Sequence, residues 1–96
     1  MSILRITVRT FQNEDHANMF LLLGEKIAND DKKIELRFNF KIIQNPTQKN
    51  QVSSIWEYEN EKHMNEIRSY LSKHNSLPNS LSPKEIVYSG VLKAMS

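Results

Sequence analysis

The residues with the most chemistry to offer lie between Ser53 and His74, in SSIWEYENEKHMNEIRSYLSKH. Within it, His63 is a candidate general base, as a buried carboxylate would be, though nothing in the spacing singles one out. Elsewhere the chain carries no glycine-rich phosphate loop, nucleophile elbow or metal-ligand cluster, and its two glycines leave little to build such loops from. The absence of cysteine excludes disulfides, thiolate catalysis and cysteine metal sites, and fits a reducing compartment. His16 and His63, in the first turns of helices, read as surface residues. His74 reads as a favourable partner for a helix carboxyl end.

The same stretch dictates how these groups are carried. Alternation sends Val52, Ser54, Trp56 and Tyr58 to one face of a strand and Ser53, Ile55, Glu57 and Glu59 to the other. At Asn60, a residue suited to capping, the period becomes helical, with Met64, Ile67 and Leu71 as the inward stripe, Tyr70 at its edge and an end near His74.

The rest of the chain supplies three more strands and one more helix. Ile3 to Phe11 alternates Leu4, Ile6 and Val8 with Arg5, Thr7 and Arg9. Asn13 caps a helix with Glu14 and Asp15 in its first turn, ending around Ala28 to Asp31; Phe20, Leu23 and Ile27 repeat along it at helical spacing. Its apolar stripe is wider than one sheet contact requires, which leaves Leu21 or Leu22 for a rim or subunit contact, and Gly24 for close approach to a sheet or as a tolerated weak point. After the polar break Asn29 to Lys33, Ile34 to Ile43 alternates as a strand, with Leu36, Phe38, Phe40 and Ile42 on one side. Asn45 to Asn50 is a turn, so the strands around it are antiparallel. Asn75 to Pro83 is a loop, and Glu85 to Leu92 the last strand, with Ile86, Tyr88, Gly90 and Leu92 on one face.

The order β-α-β-β-α-β predicts an α+β, ferredoxin-like domain spanning 1–96. Its four-stranded antiparallel sheet has the third strand between the first and second and both helices on one side. On this reading Leu4, Ile6, Val8, Phe38, Phe40 and Trp56 form the core beneath the helices. Glu57 and Glu59 then form a charge ladder on the open face, between Arg5 and Arg9 on one flank and Arg37 and Lys41 on the other.

The aromatic-ended strand with Trp56, the short acidic joint and the helix opening near His63 and Met64 resemble the antibiotic-biosynthesis-monooxygenase type of dimeric α+β barrel. That resemblance implies a homodimer in which two open sheet faces close against each other. It also implies a pocket between sheet and helices in which a small aromatic or quinol-like molecule reacts with oxygen without metal or flavin. By analogy Phe38, Phe40, Trp56, Tyr58 and His63 line the pocket as substrate-binding residues; the alternative is a non-catalytic binding or scaffold protein in which Trp56 and the phenylalanines simply fill the core. The haem-degrading branch of that family needs an asparagine on the first strand, where this chain has none, and a histidine late in the second helix, where it has His74.

Charge and hydropathy bound the partners. The 96 residues carry a net charge of +2, with 13 basic and 11 acidic residues interleaved, so no basic tail points to nucleic acid. RNA-recognition domains of the same element order stack bases on a glycine-rich aromatic motif of the third strand, which is missing here. No apolar run approaches the roughly 20 residues of a membrane helix, and the alternating amino terminus is unlike a signal peptide. The expectation is an unprocessed cytoplasmic protein that binds neither nucleic acid nor membrane.

Overall fold

The structure, a computed structural model, describes residues 2–74 and 81–96. Along the chain run β1 (Ile3–Thr10), α1 (Glu14–Ala28), α2 (Lys32–Glu35), β2 (Phe40–Gln44), β3 (Gln51–Tyr58), α3 (Glu61–His74) and β4 (Lys84–Val91). All the strand pairings are antiparallel, in the order β2-β3-β1-β4. This is the ferredoxin-like arrangement expected from the element order. The loop expected at Asn75 to Pro83 lies mostly outside the described residues, as does the His74 side chain.

Both long helices start where their caps dictate. The Asn13 side chain accepts the His16 N–H at 2.8 Å, and the Asn60 side chain accepts the His63 N–H at 2.8 Å, each satisfying a backbone donor that the first helical turn leaves free. α1 presents Ala17, Phe20 and Gly24 inward. A methyl group on Gly24 would collide with Cδ1 of Ile42, so the missing side chain is what lets α1 lie close on β2. Leu21 packs against the core and Leu22 is exposed.

The expected strand from Ile34 is shorter than the alternation implies. Asp30 accepts the Lys32 N–H at 2.8 Å, Lys32 pairs with Glu35 at 2.8 Å, and the segment closes into the single helical turn of α2. Arg37 follows in the left-handed region, φ 56°. The Arg37 N–H bonds the Ile34 carbonyl and the Phe38 N–H the Lys33 carbonyl, a helix-ending geometry that glycine usually occupies. Only from Phe40 does the chain join the sheet, with Phe40 opposite Trp56 and Ile42 opposite Ser54.

The registers overturn one expectation about the faces. Directly paired residues share a face of a sheet. Arg5 pairs with Trp56, Thr7 with Ser54, and Arg9 with Val52. Thr7 and Ser54 are each only 4% exposed, and Val52 is fully buried beneath the helices. The arginine side of β1 therefore faces the helices, and Leu4, Ile6 and Val8 lie on the open face rather than in the core. There Ile6 pairs with Ile55 on one side and Tyr88 on the other.

The expected charge ladder goes with it. Glu57 lies opposite Leu4, and Arg9 pairs instead with Glu85 of β4, at 3.3 Å. Glu59 does pair with Arg37, at 2.9 Å, but both side chains are more than half exposed. Replacing Glu59 by glutamine should move the melting temperature by less than about 5 °C, since exposed pairs contribute about 0–1 kcal/mol; differential scanning calorimetry checks this.

Candidate functional site

The layer between sheet and helices is filled at its two ends and open between them. At one end Phe11, Ala17, Phe20, Val52 and Leu81 form a buried cluster, with the Phe11 and Phe20 rings 5.5 Å apart. At the other, Tyr58, His63 and Ile67 are buried. Between Val52 and Tyr58 the sheet presents Ser54 and Thr7, both small, and α1 presents Gly24 above Ile42. The short side chain of Ser54 leaves space on the sheet side of the layer.

Two cavities occupy that space. One, of about 290 Å³, is lined by Arg9, Phe20, Gly24, Phe40, Ser54 and Trp56, with Leu71 and Glu85 among its further walls. The other, of about 680 Å³, opens between α1, α2 and β2, with Phe38, Phe40, Ile34 and Ile42 in its lining and Glu25 and Lys33 as its charged residues. Gly24, Phe40 and Ile42 belong to both walls, so the cavities adjoin at the point where α1 comes nearest the sheet.

The five aromatic and imidazole residues singled out in the sequence form one chain of ring contacts. Phe40 stacks on Trp56 at 4.4 Å between centroids, and Trp56 lies parallel to Tyr58 at 6.0 Å. Phe38 meets Trp56 edge-on at 5.6 Å, and Tyr58 meets His63 edge-on at 6.1 Å. Their access differs. Phe40 and Trp56 line the smaller cavity, and Phe38 and Phe40 the larger. Tyr58 and His63 border a separate depression at the end of the sheet with Ser2, Arg37 and Asn39.

His63 is not the surface residue that its place in a first helical turn implies. It is 3% exposed, its Nδ1 accepts the Glu59 N–H at 2.9 Å, and its Nε2 meets the Leu36 carbonyl at 2.7 Å. A carbonyl only accepts, so the proton sits on Nε2 and both ring nitrogens are occupied. The imidazole ties the start of α3 to the segment after α2. His63→Ala would leave two backbone groups without partners and should cost about 2–6 kcal/mol, each such loss being about 1–3 kcal/mol; urea denaturation measures it.

Sequence reasoning missed Arg9. It pairs with Glu85, donates from Nη1 to Ser54 Oγ at 2.8 Å, and lies over the Phe20 ring at 4.8 Å. Burial pulls its pKa down, and Glu85 partly opposes that. The signal that could have found it is Ser54, a small residue on the aromatic face of β3 with room beside it for a long side chain. Burial pushes the Tyr58 phenol up, against the pull of Arg5 and Arg68. Farther out, the Tyr70 hydroxyl donates to both oxygens of Asp30, at 3.0 and 2.9 Å, holding α3 to the loop before α2. That hydrogen bond, with desolvation and the nearby charge of Asp30, pushes the Tyr70 phenol up. Among the described residues no group of three or more histidine or acidic side chains could hold a metal ion, and no helix is long and apolar enough to cross a membrane.

This architecture is shared by known structures. A dimeric ferredoxin-like protein from an uncultured marine organism superposes with a TM-score of 0.79 at 15% identity, covering 99% of this chain and 90% of its own. A second such protein, also from an uncultured marine organism, gives 0.76 at 13% identity, covering 99% and 98%. The chain has their ferredoxin-like fold. SnoaB, a cofactor-independent oxygenase from Streptomyces nogalater solved in mutant form, gives 0.68 at 8% identity, covering 98% and 95%; the fold is thus also that of a cofactor-independent oxygenase. No family model matches the sequence, and no curated protein matches it either.

Proposed function

We propose that the protein is a homodimeric α+β barrel that binds a small aromatic or quinol-like molecule between its helices and its sheet, beside Trp56, and oxygenates it without a cofactor. The observation that carries this reading is the cavity bordered by Trp56 and Phe40. A ring entering it meets aromatic faces, and stacked or edge-on ring pairs contribute about 0.5–1.5 kcal/mol beyond their buried area. The activity rests on likeness of fold to SnoaB, described as a cofactor-independent oxygenase. The absence of cysteine suits a cytoplasmic setting.

Dimerisation is supported by the open face. Ile86 is 73% exposed, Tyr88 70% and Ile43 54%, on the same face as Leu4, Ile6, Val8 and Ile55. A continuous apolar face of this kind marks a protein contact. Two copies related by a two-fold axis would each cover the other's face, and both marine neighbours are described as dimeric.

A non-catalytic binding protein of the same fold is the second reading. His63, the candidate base, has both ring nitrogens engaged by backbone groups and borders a different depression. Oxygen uptake with a quinol-type substrate separates the two. The oxygenase reading expects uptake above the spontaneous rate, proportional to protein and saturable in substrate. Binding without added uptake across a range of quinols would leave the binding protein.

A further inference from the structure

The cleft beside Trp56 is charged as well as aromatic. Arg5 pairs with Trp56 across the β1·β3 ladder, and Arg9, two positions on along the chain from Thr7, shares that helix-facing side. Arg68 of α3 is near enough to act with Arg5 on the Tyr58 phenol. The carboxylate facing Arg9 is Glu85, from the edge strand β4. At the larger cavity Glu25 and Lys33 offset each other in sign. At the cleft beside Trp56 the charged lining residues are Arg9 and Glu85.

Arg9 is the cation placed to meet a ligand there. Its side chain is only 20% exposed, and it lines the same cavity as Trp56 and Phe40. A guanidinium offers five N–H donors, of which the protein takes up Nε with Glu85 and one from Nη1 with Ser54. Among the described residues the others have no acceptor. Glu85 is the looser member of the pair, 44% exposed and at an edge, so an incoming anion can share or replace it at small cost. Hydrogen bonds between a guanidinium and an anionic oxygen are short and stronger than neutral ones, and stronger still where water is thinned out.

We infer that the cleft takes a planar aromatic molecule bearing one acidic oxygen group, a carboxylate or an ionised phenol or enol, with its ring against Trp56 and Phe40 and its anionic oxygen on Arg9. This rests on the reading of the cleft as an aromatic binding site and adds its charge and its selecting residue. Arg9 is a binding residue that discriminates acidic from neutral ligands of the same shape.

The test is calorimetric titration of the whole chain with a matched pair, anthraquinone-2-carboxylate and 2-(hydroxymethyl)anthraquinone. The acid should bind at least about tenfold more tightly, as one charge-assisted contact implies. Arg9→Met should reduce that preference to less than about threefold while leaving the neutral compound within about twofold, because the ring contacts remain. Arg9→Lys, which keeps the charge if Arg9→Met does not fold, should retain part of the preference, and Glu85→Gln should increase it by removing the competing carboxylate. Equal affinities for the two compounds in the unaltered protein would overturn the inference and leave the aromatic cleft standing. So would equal weakening of both by Arg9→Met and by Glu85→Gln, which would make the pair a structural brace. Binding of neither compound would overturn the inference and the cleft together.

Discussion

Ile6→Glu should convert the proposed dimer into a folded monomer. Ile6 lies on a central strand, flanked on the open face by Ile55 and Tyr88, and its side chain points away from the helices that form the chain's own core. In an isolated chain a glutamate there is solvated and the fold stands. In a face-to-face dimer it would be buried without a partner, at about 3–5 kcal/mol by analogy with broken buried pairs, and a symmetric interface carries the substitution twice. Association should therefore weaken, with Kd raised by at least about a hundredfold and far-ultraviolet circular dichroism unchanged. Light scattering reads the mass. An unaltered protein that stays monomeric at micromolar concentration would contradict the barrel. So would a dimer indifferent to Ile6→Glu but split by Leu22→Glu on the exposed side of α1, which would place the contact on the helices.

Trp56→Ala should have the next largest effect, and on both stability and binding. The ring stacks on Phe40, runs parallel to Tyr58 and meets Phe38 edge-on, so its removal undoes the aromatic chain at its centre. It is partly exposed to the cavity rather than fully enclosed, which puts the cost near the lower end of the usual range for a large aromatic, about 3 kcal/mol. Trp56→Phe keeps most of the ring contacts and should cost about 1 kcal/mol or less. It should nevertheless weaken ligand binding, because the lost ring area faces the cavity. A loss of stability from Trp56→Phe as large as that from Trp56→Ala, with no change in binding, would make the residue core filler.

The sequence makes the element order plain because its signals are local. Asn13 and Asn60 cap helices with their own side chains, and Val52, Ser54, Trp56 and Tyr58 alternate in a strand with one buried side. The short turn of α2 was hidden because Ile34, Leu36 and Phe38 alternate as a strand would; the contacts that bend the segment are Asp30 on the Lys32 N–H and the Lys32–Glu35 pair. The helix-facing side of β1 was misread for a deeper reason. Apolar residues were assigned to the core and arginines to water, but a sheet with a second apolar face gives its aliphatic side to that face. One step of register between β1 and β3 decides which side Arg9 takes, and pairing across the chain is not written in either strand alone.

The candidate site was legible in part. Phe38, Phe40 and Trp56 come together because they lie on the inward side of β2, β3 and the segment before β2. The burial of His63 was not legible, because the carbonyl that occupies Nε2 belongs to Leu36, 27 residues away. Nor was the cavity, whose lining joins Arg9, Ser54 and Trp56 only once register sets β1 beside β3.

The central claim is that a small aromatic molecule occupies the cleft beside Trp56, and the chain's single tryptophan reports on it directly. Titrating the protein with planar phenols, quinols and quinones while following tryptophan fluorescence should give saturable quenching with one site per chain, weakened in Trp56's neighbour variant Phe40→Ala. Fluorescence that stays unquenched across that panel would contradict the account.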